Sequence, residues 1–427
     1  MATILDACAA GDATGNLPEL LSCLKSAVPS VTGRPHQELQ QQILTQLDPD
    51  THSLGYLFLL EAQTRSGLNA AGDQAFVDSC STFLRVCRSA HIRMAPELFA
   101  QLCKRYREQV VALGCPRSGV TPLLHAVRKL QPTREHLTPV HADFLQLCIL
   151  SKMYSAAAEV LADDVYDVDP PKTAITPTDF FLYCYYGGLA AAGRKQYARA
   201  LELLMGALTA PAVMGNAIVV ASFKKLVLIS LIHCDTPVTL PRFTPSRVKA
   251  TCEAESKAYL ELASAYGSHS AEKLAKAVDT FTATFVSDNN MGLVKQVMAG
   301  LVKRNIQRLT QTYMTLSLDA IATQVSLPSR ADAELHVLRM IEAGDIHATI
   351  NEGDGMVAFL ADPEQYNSAA MVARMDAQIR SCVAVAAKLQ EVHDAVVTDK
   401  AYQSKVSARD RRFETQEELP MGQMFQP

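Results

Sequence analysis

Residues 318–359 read LDAIATQVSLPSRADAELHVLRMIEAGDIHATINEGDGMVAF, and their order of apolar and turn residues decides the fold. A short helix is predicted over Leu318–Val325. Leu327-Pro328-Ser329 must end it, because proline lacks the donor that a helix interior needs. A further helix runs to Glu342 and stops at Ala343-Gly344-Asp345. Ile346, Ala348 and Ile350 then alternate with polar neighbours, Asn351–Gly355 supplies turn residues, and Met356–Phe359 returns as a second strand. A long helical run through Tyr313 precedes all of this, and Asp288 or Asn290 can cap its start. Three helices followed by a hairpin make a winged helix.

Upstream, helical periodicity prevails. Cys80, Phe83, Leu84 and Cys87 follow Phe76 at helix spacing, and Leu98, Phe99, Leu102, Cys103, Tyr106 and Val110 repeat the pattern after Pro96. Breakers fall at Gly67–Asp73, Gly114–Gly119, Gln131–Pro139, Asp169–Pro177 and Asp235–Pro245. Short links between helices predict an α-solenoid. Within Asp179–Pro211, the residues Gly188, Ala200, Leu204 and Ala207 stand where tetratricopeptide-type hairpins need small or packing side chains. Val140–Ser151 and Tyr154–Val165 form a preceding hairpin.

Downstream, Val372, Met375, Ile379, Cys382, Ala386, Leu389, His393 and Val396 step alternately by three and four. That is the seam of a coiled coil or helix bundle. Beyond Lys400 the apolar pattern fades, and an unstructured tail is expected. The predicted organisation is an N-terminal helical region (1–140), TPR-like repeats (141–298), a winged helix with a small β-wing (299–365), a long C-terminal helix (366–398) and the tail (399–427). The fold class is mainly all-α.

Composition and motifs narrow the function. The 427 residues carry 48% hydrophobic and 20% charged residues and a net charge of −4, which suits a folded multidomain protein without a general affinity for polyanions. Eleven cysteines with no C-x-x-C pair read as reduced, mostly buried thiols. Met1–Asp6 has no basic n-region of a secretory signal. Leu203–Phe223 is free of charge and long enough to span a bilayer, but Pro211, Gly215 and Asn216 split it into two helices. No P-loop, dinucleotide fingerprint, H-E-x-x-H, H-x-H or G-x-S-x-G is present, so no catalytic residue, metal or cofactor is assigned. His233-Cys234-Asp235 reads as packing at a helix end. Cys80, Cys87 and His91 share a face but lack the four ligands of a closed zinc site, and read as two buried thiols beside a surface-leaning histidine. Ser329–Asp345 has a net charge of −2, the wrong sign for a helix that lies against DNA phosphates.

Protein association is the remaining role. An open edge of the wing invites strand pairing, which marks Ile346, Ala348, Ile350, Met356, Val357 and Phe359 as a contact surface. The seam from Val372 to Val396 is a second one, since a long apolar stripe does not stay in water.

Solenoid, winged helix and long terminal helix together resemble the PCI-domain family, shared by the proteasome lid, the COP9 signalosome and a translation-initiation assembly. Tyr185-Tyr186-Gly187-Gly188, Ala207–Pro211, Asp288–Gln296, Asn305–Thr310, Thr315–Leu318 and Asp354–Val357 are similar to signalosome members of the family. The resemblance covers roughly Val140–Val396. It implies a non-catalytic subunit of a complex that removes a ubiquitin-like modifier from cullin-RING ligases, with the metal-dependent chemistry on another chain. It further implies joining through winged helices, a shared bundle of C-terminal helices, subunits 1 and 8 as neighbours, and a cytoplasmic and nuclear location. Proteasome-lid or initiation-complex membership, and a nucleic-acid-binding winged helix, are the competing expectations.

Overall fold

Helix formers separated by short turns dictate most of the structure. The computed structural model describes residues 17–31, 48–65, 73–211, 216–361 and 367–417. The readings made on Met1–Asp6, on most of the Gly67–Asp73 breaker, on Gly215 and on the final residues lie outside these. The N-terminal region carries α1 (Leu17–Val31), α2 (Ser53–Arg65), α3 (Gln74–Val86), the single turn α4 (Ser89–Ile92), α5 (Pro96–Ala112) and α6 (Val120–Leu130). The hairpin α7 (Val140–Leu150) and α8 (Tyr154–Leu161) follows, then α9 (Pro170–Thr173) and the hairpin α10 (Pro177–Gly193) and α11 (Tyr197–Thr209). Next come α12 (Ala217–His233), α13 (Ser246–Glu255), α14 (Lys257–Gly267), α15 (Ala271–Ser287) and α16 (Met291–Thr312). The chain then forms β1 (Thr315–Ser317), α17 (Leu318–Val325), α18 (Arg330–Glu342), β2 (Ala348–Asn351), β3 (Met356–Phe359), α19 (Ala369–Thr398) and α20 (Lys400–Glu417). Two compact units result, one holding the chain to Asp345 with Ile350–Ala358, the other Ile346–Thr349 with the chain from Phe359 onward.

In the first unit one buried apolar cluster runs from Leu20 to Leu301. Each hairpin covers its predecessor: α7 packs on α10, α10 on α11, and α11 on α12. Gly188 sets the α10–α11 approach, because a Cβ there would lie 2.7 Å from Leu204 Cγ and 3.5 Å from the Ala200 carbonyl oxygen. The small residues predicted from the repeat pattern therefore meet in space. The charge-free stretch divides as expected, with Asn216 capping α12 by accepting the Val219 N–H at 2.8 Å. Among the described residues no helix is long and apolar enough to cross a membrane.

The turns close in a shared way that the sequence does not advertise. After α7, α10, α15 and α17 the residues Lys152, Lys195, Asn289 and Ser326 adopt left-handed backbone, with φ of 57°, 61°, 53° and 62°. The next N–H then reaches back five residues, as in Met153 to Cys148, Gln196 to Ala191, Asn290 to Phe285 and Leu327 to Ala322, at 2.8–3.0 Å. This is the Schellman closure, which usually recruits glycine; among the described residues Gly114 and Gly344 do so, before Cys115 to Val110 and Asp345 to Met340.

Two expectations are corrected. Neither Asp288 nor Asn290 caps α16 with its side chain. Both face α12 and α14: Lys224 Nζ donates to Asp288 at 2.8 Å, Lys225 Nζ to Asn290 at 2.6 Å, and Tyr259 sits between, donating to Asp288 at 2.7 Å and accepting from Asn290 at 2.8 Å. The cations in the middle of apolar α12 demand such partners more strongly than exposed helix N–H groups do. The tail is the second correction, for α20 is helical where an unstructured chain is expected. It lacks an apolar stripe, but Lys, Arg, Gln, Glu and Ala dominate it, and no Gly or Pro falls within it.

Buried His141 joins α7 to its surroundings. The Thr138 N–H donates to its Nδ1 at 3.1 Å, the Gln131 amide lies 3.0 Å from its Nε2, and Tyr183 meets the ring edge-on. Burial pushes its pKa down to about 4.

Two predictions concern the packing. Gly188→Ala should cost about 1–3 kcal/mol by overpacking, whereas Gly206→Ala, whose Cβ would meet nothing nearer than Cys184 Sγ at 3.5 Å, should be neutral or stabilising by up to about 1 kcal/mol; urea denaturation of the two variants separates them. Neutral His141 is favoured in the fold, so its contribution is complete above the unfolded pKa of about 6.5 and is lost as pH falls toward 4, by about 3 kcal/mol. Buried Asp143, pushed up to about 7 despite Arg107 Nε at 3.1 Å, has the opposite sign. The measurement is therefore the stability difference between wild type and His141→Gln, which should shrink from pH 7 to pH 4.5; a constant difference would contradict it.

Candidate assembly surfaces

The winged helix is built by local signals that act together. Ser317 caps α17 by accepting the Ala320 N–H at 3.2 Å, and Ser329 caps α18 by accepting the Asp332 N–H at 3.1 Å. Leu318, Ile321, Val325, Ala333, Val337, Met340 and Val357 form its core. The wing has three strands in the order β1-β3-β2. β1 pairs antiparallel with β3, Thr315 opposite Ala358, Leu316 opposite Val357 and Ser317 opposite Met356.

This order corrects the wing reading. β3 is the central strand, with a neighbour on each side, so Met356, Val357 and Phe359 offer no open backbone edge. Val357 is fully buried, Ile346 is 5% exposed, and Phe359 is half-buried, while Met356 shows its side chain at 37%. The third strand lies 40 residues upstream and is three residues long, too short for alternation to show. Among the described residues the outer strands are β1 and β2. On β2, Ala348 and Ile350 are half-buried and alternate with exposed Thr349 and Asn351. Gly355 closes the hairpin at φ +66°, where a Cβ would collide with the Arg330 guanidinium.

The outward face of α18 carries Leu335 and Leu338, 43% and 45% exposed, beside Arg339 and Glu342. One cation between two leucines and an acid does not make a phosphate-facing surface.

α19 is the most apolar exposed element. It has 30 residues and none of them is buried, which at 1.5 Å per residue gives roughly 45 Å of helix. All eight seam residues lie on it and all are exposed: Val372, Met375, Ile379, Cys382, Ala386, Leu389, His393 and Val396. The sequence reading missed its width. Val383 and Val397 flank the seam on one side, Val385 and Val392 on the other, and all four are exposed. Their separations of 14 and 7 residues are whole heptads, which is the signal that was there to find. A face this broad exceeds the two-position stripe of a simple coiled coil.

The remaining sequence candidates resolve into packing. Cys80, Cys87, Cys103, Cys148, Cys184 and Cys252 are buried, and burial pushes the Cys87 and Cys148 thiols up to about 11 and 12. His91 is buried beside them, contrary to its surface-leaning assignment. Among the described residues no group of three or more His, Cys, Asp or Glu is placed to hold a metal. His233-Cys234-Asp235 is not core packing: Cys234 is exposed, and Asp235 ties the end of α12 to Arg304 at 2.6 Å and to the Tyr266 hydroxyl at 3.0 Å.

Comparison with known proteins agrees with this architecture. Residues 14–248 match the model of the COP9 signalosome complex subunit 3 N-terminal helical repeats, and residues 257–360 match the PCI domain. The chain is 40% identical over 400 residues to COP9 signalosome complex subunit 3 of Arabidopsis thaliana, covering 93% of this chain and 91% of the relative. It is 36% identical over 379 residues to the protein of that name from Dictyostelium discoideum, covering 88% and 89%. Helical repeats leading into a PCI winged helix, matched over nearly the full length, place the chain in the COP9 signalosome subunit 3 family of scaffold subunits.

Proposed function

We propose that the chain is a non-catalytic scaffold of the COP9 signalosome, the complex that removes a ubiquitin-like modifier from cullin-RING ubiquitin ligases in cytoplasm and nucleus. The metal-dependent isopeptidase chemistry belongs to a different subunit. Repeats, winged helix and terminal helix act as separate modules along the boundaries read from the sequence. The wing joins neighbouring PCI subunits, of which subunits 1 and 8 are the expected ones, and the terminal helix enters a bundle with theirs.

Support comes above all from α19, a long helix whose apolar face has no buried residue. Covering Val372, Met375, Ile379, Leu389 and Val396 alone is worth on the order of 10 kcal/mol. That is comparable with the 4–15 kcal/mol lost in association, so the helix gains most where several partners cover it at once. Cys382, Ala386 and His393 contribute less apolar area than a self-sufficient dimer seam would, while the valines on both flanks suit more than one neighbour. At the wing, β1 and β2 are the outer strands among the described residues, and these edges rather than β3 are the contacts we assign. The leucines on α18 favour a protein partner over nucleic acid.

Two experiments separate these contacts. Ile379→Asp with Leu389→Asp should abolish incorporation into the bundle while leaving the circular dichroism of the chain nearly unchanged; full co-purification of the double variant would remove the seam. For the wing, proline is placed singly at Thr349 and at Ile350. Alternation means that one of these removes an N–H from the ladder and the other an N–H from the free edge. The variant that keeps its folded spectrum should lose pairwise binding to a neighbouring PCI subunit by tenfold or more, and unaltered binding would remove the β2 edge.

A further inference from the structure

The last third of α16 forms one wall of a polar cleft of about 580 Å³, bounded by the turn between α14 and α15 and by Asp345, in the turn that follows α18. Its lining is His269, Arg304, Gln307, Arg308, Gln311 and their neighbours, with no apolar side chain among them. The walls are held from behind. Lys303 Nζ takes the Asp345 carboxylate at 2.7 Å, Arg304 takes Asp235 at 2.6 Å, and Asn305 Nδ2 donates to the His269 carbonyl at 3.2 Å. Both nearby acids are thus already neutralised.

What remains is a surplus of positive charge and of donors. Arg308 is exposed and has no ion-pair partner among the described residues. It stands one helical turn from Arg304, whose charge is already held by Asp235, so Arg308 is the cation left to meet an incoming anion. His269 sits at φ +57° against both arginines, and its Nδ1 is buried without a hydrogen-bond partner. A guanidinium fork beside an imidazole, in a wholly polar cleft, fits a tetrahedral oxyanion that accepts several bonds at once. The volume leaves room for a polar body attached to that group.

We propose that this cleft binds a phosphate monoester, with Arg308 as the principal contact and His269 as the second. The assignment uses neither the seam nor the wing edge, so it stands or falls apart from the assembly reading. The same chemistry could arrive on a soluble metabolite or on a phosphorylated segment of a protein, and the probes distinguish them. Full-length chain is titrated calorimetrically with inorganic phosphate, and with a phosphoserine peptide alongside its unphosphorylated counterpart. Saturable, salt-sensitive binding of phosphate or of the phosphopeptide is expected. Arg308→Gln, which breaks no ion pair among the described residues, should weaken it tenfold or more with no change in melting temperature. His269→Asn, which tolerates the left-handed backbone, should weaken it as well. Tighter binding of the phosphopeptide than of inorganic phosphate identifies a protein segment as the source, and binding of phosphate alone identifies a soluble ligand. Absence of saturable binding by either probe, or an Arg308→Gln titration identical to wild type, overturns the proposal.

Discussion

An apolar helix face must be covered, and the way this chain meets that requirement differs between its start and its end. In the repeats each hairpin is roofed by the next. α10 is packed against α7 on one side and α11 on the other, which is why its apolar residues run nearly all round the helix instead of along one stripe. α12 is more extreme, and its two mid-helix lysines are turned onto Asp288 and Asn290. Close approach is possible because glycine stands where Leu204 needs room. At the C-terminal end the same kind of face, on α19, has none of its residues buried among the described residues.

That asymmetry links the fold to the role of a scaffold. A stacked array transmits position, since every element is fixed by its neighbours. The polar ties serve the same end: Asp235 holds Arg304 and Tyr266, and Lys303 holds Asp345, so the base of the winged helix is anchored to the repeats by ion pairs as well as by apolar packing. Partly exposed pairs of this kind add little stability.

Much of this was legible in the sequence because the decisive signals are local. Leu327-Pro328-Ser329 and Asn351–Gly355 mark the winged helix unambiguously, and the seam from Val372 to Val396 needs only a heptad count. What escaped notice is non-local or unmarked. β1 is three residues long and pairs with a strand 40 residues away, so β3 looks like an edge until the fold is known. Lys152, Lys195, Asn289 and Ser326 close turns that glycine usually signals, and the cost of their left-handed backbone is offset by the closure bond and the packing it permits. α20 forms from propensity alone, with no apolar period to reveal it. Asp288 and Asn290 are good caps by type, yet tertiary demand from Lys224 and Lys225 prevails over local preference.

The central claim is that α19 is a bundle helix awaiting cover from other subunits. Hydrogen–deuterium exchange across residues 369–398, followed in the isolated chain and again after assembly with the other signalosome subunits, tests it most directly. Fast exchange that slows by at least tenfold on assembly, most strongly around Ile379, Cys382 and Leu389, is the predicted result. Equal protection in both states would show that the helix is covered by its own chain or by nothing, and would contradict the account.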